Sequence, residues 1–168
     1  MRRIGITGGI GSGKSVVSRL LRIMGYSVYD TDSEAKRLME SSLEVVQKLS
    51  ECFGRDIYHN GRLNRGLLSS RVFGKSDKIV LLNSIVHPVV RFDFYRWSES
   101  LNEEICFVES AILYESRFDE LVDEVWTVTA PEELRIGRVR QRSGLTEEEI
   151  KKRMAAQLSE EEKQRRAA

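Results

Sequence analysis

Gly8-Gly9-Ile10-Gly11-Ser12-Gly13-Lys14-Ser15 decides how this chain is read. The stretch fits the P-loop pattern of Gly, four residues, Gly, Lys and then Ser or Thr. In such a loop Gly8, Gly9, Gly11 and Gly13 let the backbone turn tightly with its N–H groups inward, where a Cβ would block a phosphate. Lys14 adds a positive charge at the β- and γ-phosphates, and the Ser15 hydroxyl is placed to ligate Mg²⁺. The flanks agree. Arg2 to Thr7 reads as a short strand and Ser15 to Met24 as a helix, so bound phosphates would sit on a helix N-terminus, where the dipole favours anions. A Gly-rich turn before an ordinary helix is the plainer alternative, and this context favours nucleotide binding over it.

Working outward, 168 residues suggest one domain with room for a subdomain insertion. A content of 40% hydrophobic and 32% charged residues is ordinary for a soluble globular protein. The formal charge of +1 argues against broad binding to nucleic acid or a membrane surface. Apolar stretches are too short to span a bilayer, and the start runs into the first strand without a signal-peptide pattern. Cys52 and Cys106 lie far apart without metal spacing, which reads as two reduced thiols in a cytoplasmic protein.

Gly25 stops the first helix, and Tyr26 to Tyr29 reads as a second strand ending in Asp30-Thr31-Asp32. A helix capped by Asp32 or Ser33 follows. Helical segments are then expected at Leu43 to Phe53, Arg65 to Phe73 and from Ser76 onward, with a turn at Asn60-Gly61 and a kink or break at Pro88. Ile105 to Val108, ending in Glu109, has the apolar run of a strand buried on both faces, and Val125 to Thr129 is β-branched and aromatic. Pro131-Glu132-Glu133 opens a helix to about Arg142, and Thr146-Glu-Glu-Glu149 is a capping box opening a last helix that runs to about Ala168. Strands separated by helices predict an α/β fold: a parallel sheet covered on both faces, with a helical insertion between strands two and three.

Asp30 and Asp32 end the second strand, on the edge where ligands of open α/β sheets collect. Two carboxylates there could supply a base for an acceptor hydroxyl and a partner for Mg²⁺ or its waters; both also suit helix capping. Glu109 is the other candidate for ordering Mg²⁺ waters. Arg135, Arg138 and Arg142 share a helix face by three- and four-residue steps, which suits a phosphate clamp. Arg153 and Gln157 share a face of the last helix and could reach a nucleotide. His87, before Pro88, reads as a structural hydrogen-bonder, and His59 as a turn residue.

Together Thr7 to Ser15, Asp30-Thr-Asp32, Leu82-Asn-Ser-Ile-Val-His-Pro88, Glu109-Ser-Ala-Ile-Leu-Tyr-Glu115, Arg138 to Arg142 and Arg153-Met-Ala-Ala-Gln157 resemble the dephospho-CoA kinase family, in order along the whole chain. The resemblance implies transfer of the γ-phosphoryl of ATP to the ribose 3′-hydroxyl of dephospho-CoA, with Mg²⁺, in a cytoplasmic enzyme. It also implies a single three-layer P-loop kinase domain, with a core of 1–32 and 104–131, a helical substrate-binding region of 33–103, a lid of 132–153 and a C-terminal helix of 146–168. Carried over, Gly9, Ile10, Gly11, Ser12, Gly13, Lys14, Ser15 and Val16 match the ATP-binding stretch. Asp32 matches the base toward the 3′-hydroxyl, His87 the border of the acceptor pocket, and Arg138 and Arg142 the lid; Lys14 joins Asp32 and these arginines in catalysis. Ala111-Ile112-Leu113 stand where the family usually has Pro-Leu-Leu. The family continues past the position of Ala168 into a fifth strand, an Asn-containing loop beside adenine and a final helix, so a sheet without that edge strand is expected here. Another small-molecule P-loop kinase, acting on a nucleotide or shikimate-like acceptor, and a catalytically impaired nucleotide-binding module are the remaining readings.

Overall fold

In a computed structural model describing residues 1–167, the chain divides into two compact units, one made of Met1–Asp30 and the chain from Ser98 on, the other of Thr31–Trp97. The first unit is built on a parallel sheet of β1 (Arg2–Thr7), β2 (Val28–Asp30), β5 (Ile105–Glu109) and β6 (Glu124–Thr127), in the order β2-β5-β1-β6. Central β1 alternates little: from Ile4 to Thr7 every residue is buried, as expected of a strand covered on both faces. Ile4 and Ile6 pack with Phe107 of β5 and Leu21 of helix α1 (Lys14–Ile23) in one core cluster. Helix α1 ends in a Schellman arrangement, the Gly25 N–H donating to Arg22 O at 3.1 Å and the Tyr26 N–H to Leu21 O at 3.0 Å. Tyr26, expected inside the second strand, thus belongs to the helix exit, and β2 begins at Val28, just after Ser27, whose carbonyl accepts from the Phe107 N–H at 2.9 Å.

The second unit holds α2 (Thr31–Ser41), α3 (Leu43–Phe53), a two-stranded hairpin β3 (Tyr58–His59) and β4 (Arg62–Leu63), α4 (Arg65–Val72) and most of α5 (Ser76–Ser100). Asn60 and Gly61 both take positive φ, 50° and 75°, the geometry a two-residue hairpin turn needs. The expected turn is therefore the tip of a hairpin whose short strands the sequence reading did not predict. The Tyr58 hydroxyl anchors it, donating to Met39 O at 2.5 Å; burial, with Glu40 nearby, pushes the phenol up to about 12. Asp32 and Ser33 were expected as caps, but α2 begins at Thr31, directly after β2, so both lie in its first turn. Of the kink or break expected at Pro88, the break is not there: α5 runs through it without interruption. Proline removes the N–H that would reach Ser84 O, but Ser84 and Pro88 are both exposed, so water can take that carbonyl.

After β6 come α6 (Glu132–Ser143), α7 (Glu147–Ala155) and α8 (Glu160–Arg166). The single C-terminal helix expected over 146–168 is two helices, and residue 168 lies outside the described ones. The chain leaves the helix after Ala156, and Ser159 caps the next, its hydroxyl accepting from the Glu162 N–H at 3.2 Å. Ser159-Glu-Glu-Glu162 repeats the start signature of Thr146-Glu-Glu-Glu149, so the break was written in the sequence. Among the described residues, no helix is long and apolar enough to cross a membrane.

Candidate functional site

The P-loop runs from the buried end of β1 to α1, whose N-cap is Gly13 and whose first residue is Lys14. Ser15 and Val16 follow in the first turn, both exposed. The positive end of the helix dipole therefore meets whatever the loop encloses. The Lys14 ammonium donates to Gly9 O at 3.2 Å, folded back across the loop. Thr7 Oγ1 and Ser12 Oγ are buried without a hydrogen-bond partner among the described residues. Phosphate oxygens would give such hydroxyls an acceptor, so the residues present fit a bound nucleotide.

The outer surface of the loop is held by the C-terminal helices. Arg135, buried on α6, donates from Nε to Ile10 O at 3.1 Å. Arg138 Nη1 donates to Gly11 O and Ser12 O, each at 3.3 Å. Glu160 accepts from the Gly9 N–H at 2.7 Å, and Gln157 Oε1 accepts from the Ile10 N–H at 3.1 Å. The three arginines expected to form one clamp therefore do different things. Arg135 anchors the loop from below, Arg138 binds its carbonyls, and Arg142 is exposed near the end of α6. Arg153 and Gln157 do not share a helix face: Arg153 is exposed on α7, whereas Gln157 lies beyond the end of that helix and bonds to the loop at Ile10. Sequence reasoning missed Glu160; the signal available was its place in the first turn of a capped helix.

Two glycines are required by these neighbours as much as by a ligand. A Cβ on Gly9 would lie 2.3 Å from Arg135 Nη2 and 2.4 Å from Glu160 Oε1. On Gly11 it would lie 2.5 Å from the Arg135 carbonyl oxygen, at a φ of +79° that side chains rarely adopt. Gly11→Ala is accordingly expected to cost roughly 2–4 kcal/mol, from left-handed strain plus overpacking against backbone that cannot yield. Urea denaturation measures it, and a loss under about 0.5 kcal/mol, the scatter of neutral surface changes, would contradict the packing argument.

Asp30 and Glu109 are register partners at the carboxyl ends of β2 and β5, and Ile6, next to Thr7, pairs with Glu109 on the other side. The two carboxylates thus stand side by side on the sheet edge from which the P-loop leaves. Ser15, Asp30 and Glu109 each carry hard-oxygen groups, the ligand chemistry that suits Mg²⁺. No cage of three or more His, Cys, Asp or Glu side chains occurs among the described residues.

In the second unit, Asp32 is exposed in the first turn of α2. His87 is half-buried on α5, and burial together with the Arg91 charge holds its imidazole below the usual 6.5. A folded pKa below the unfolded one means that the unfolded chain binds more protons as pH falls, so this contribution is complete above about 6.5 and is lost on acidification. The melting temperature of the native protein should therefore drop more steeply from about pH 7 to about pH 5 than that of His87→Gln. Parallel profiles would remove His87 as the titrating group.

The family model described as dephospho-CoA kinase matches residues 2–168. Among curated proteins, dephospho-CoA kinase of Porphyromonas gingivalis is 45% identical over 161 residues, covering 96% of this chain and 80% of that protein. Among solved structures, TT1252 from Thermus thermophilus superposes with a TM-score of 0.84 at 39% identity, over 99% of this chain and 85% of that one. Dephospho-CoA kinase from Campylobacter jejuni gives 0.72 at 25% identity, over 100% and 86% of the two chains. With its P-loop, its parallel sheet and this match along its length, the chain belongs to the dephospho-CoA kinase family.

Proposed function

We propose that this chain transfers the γ-phosphoryl group of ATP to the ribose 3′-hydroxyl of dephospho-CoA, giving coenzyme A and ADP. The observation that carries the reading is the family match over residues 2–168, on a chain whose P-loop has the Lys14-Ser15 pair at a helix N-terminus. In the reaction the acceptor oxygen bonds to the γ-phosphorus, the bond from that phosphorus to the β,γ-bridging oxygen breaks, and ADP leaves. Asp32 takes the hydroxyl proton as general base. Lys14 turns from Gly9 O to the β- and γ-phosphates, where its charge offsets the charge that develops on the leaving oxygen.

Gly9 to Val16 form the phosphate-binding stretch: the Gly9 and Ile10 N–H groups are held by Glu160 and Gln157, and the positive end of the α1 dipole and Lys14 would face the phosphates. When bound, Mg²⁺ neutralises phosphate oxygens; Ser15 would ligate it, and Asp30 and Glu109 would order its waters. Arg138 and Arg142, on α6, act from the lid, and His87 borders the acceptor pocket. The two thiols, exposed Cys52 and buried Cys106, are both free, in keeping with a reducing cytoplasm.

Coupled ADP release with Mg·ATP tests the reading against dephospho-CoA, AMP, adenosine and shikimate. Turnover dependent on dephospho-CoA alone is the expected result. Turnover with another acceptor and none with dephospho-CoA would replace the proposed substrate, and no turnover in a folded, ATP-binding protein would make this chain a nucleotide-binding module.

A further inference from the structure

Between α8 and the nucleotide loop lies a set of charged side chains that the reaction chemistry does not use. Lys163 is fully buried; its ammonium donates to Ala111 O at 2.7 Å and stands 3.9 Å from a Glu115 oxygen. Its backbone carbonyl accepts from Thr127 Oγ1, at the end of β6, at 3.2 Å. One turn earlier on α8, Glu160 Oε1 holds the Gly9 N–H at 2.7 Å and faces Arg135 Nη1 at 3.6 Å. The other Glu160 oxygen is buried without a hydrogen-bond partner among the described residues. Burial pushes the Lys163 ammonium down from its ordinary range, while Glu115 and Glu160 draw it back.

Charges in such a place are a costly way to pack a helix. Replacing a buried ion pair by apolar side chains of similar volume is often neutral or stabilising, so stability alone does not call for these residues. What distinguishes them is what they hold. Glu160 grips the first turn of the P-loop, and Lys163 grips the segment that leaves β5 directly after Glu109 and Ser110. Both grips are hydrogen bonds to backbone, so they fix where the chain runs rather than supply a reacting group.

We propose that Glu160 and Lys163 are positioning residues of the nucleotide site: α8 sets the P-loop at Gly9 against the Glu109–Ala111 segment, and so places the phosphates relative to the carboxylates that order Mg²⁺ waters. This rests on the proposed kinase reading only for its effect on turnover; the effect on ATP binding stands apart from it.

The test compares Glu160→Ala, Glu160→Gln and Lys163→Met with the native full chain. Readouts are ATP affinity by calorimetry, KM for each substrate, kcat and melting temperature, at a temperature where each variant is folded. Glu160→Ala removes the partner of the Gly9 N–H and should weaken ATP binding about tenfold, the worth of one hydrogen bond to a charged group. KM for dephospho-CoA should stay within about twofold. Glu160→Gln keeps the acceptor and should recover most of the loss, to within about threefold of native. Lys163→Met should lower kcat/KM for ATP by about tenfold or more, again sparing the acceptor KM. If Lys163→Met does not fold, the Glu160 pair decides alone. A fall in melting temperature with ATP affinity, kcat and both KM values unchanged would make the cluster merely structural and overturn the proposal. Failure of dephospho-CoA as substrate with the tenfold ATP effect intact would instead overturn the kinase reading and leave the positioning role standing.

Discussion

Asp32→Asn should lower turnover with dephospho-CoA at least about a hundredfold while ATP affinity stays within a few-fold of native. General-base catalysis is typically worth ~10²–10⁴ in rate, and Asn keeps the size and polarity of the side chain while losing its capacity to accept a proton. The fold should tolerate the change. Asp32 is exposed in the first turn of α2, where losing a favourable charge–dipole contact costs roughly 0.3–1 kcal/mol. Steady-state ADP release, beside calorimetric ATP binding and a melting curve, separates a chemical defect from a folding one. Near-native turnover would remove Asp32 from the role of base, and Asp30→Asn, two residues upstream at the end of β2, would be the next variant to assay.

Lys14→Met should act on the other side of the reaction. The methionine keeps the apolar stem and deletes the ammonium, so the β- and γ-phosphates lose a charged donor at the point where negative charge grows. Removing one such preorganised donor typically costs about 10²–10³ in kcat. KM for ATP should also rise, because the same contact exists before the transition state. In the structure that ammonium donates to Gly9 O at 3.2 Å, and a melting curve of the variant separates any loss of stability from the loss of turnover. A kcat within about threefold of native would refute the assigned role, whatever the effect on KM.

The fold was largely legible because its decisive signals are local. Gly13-Lys14-Ser15 after an apolar strand marks the P-loop, Gly25 marks the exit of α1, and the apolar run before Glu109 marks β5. Errors fell where one local signal was weighed against a tertiary circumstance. Pro88 breaks an isolated helix, but on an exposed face of α5 the freed carbonyl has water to bind. Ser159 starts a helix of its own inside the segment expected as one, its spacing to Glu162 matching that of Thr146 to Glu149. For the site, residue types within one segment could be read directly, and Gly8 to Ser15, Asp30 and Glu109 came from that. Partnerships across 125 and 151 positions of sequence could not. Gly9 with Glu160, and Ile10 with Arg135, are set by the packing of α6 and α8 on the loop, and no periodicity in either segment announces the other.

The pairing of β1 carries a consequence for how this protein is made. The strand that holds the centre of the sheet leaves the ribosome before both of its hydrogen-bonding neighbours, β5 and β6, which lie beyond the whole Thr31–Trp97 unit. Until Ile105 has emerged, Ile4 and Ile6 have no sheet to enter, and a nascent strand of that character is a target for unintended pairing. The inserted unit, made of sequence-local helices and a hairpin, can form early and wait. Nascent chains arrested before β5 should therefore hold a protected helical unit and a protease-sensitive β1, and protection of β1 should appear only once β5 and β6 have both emerged.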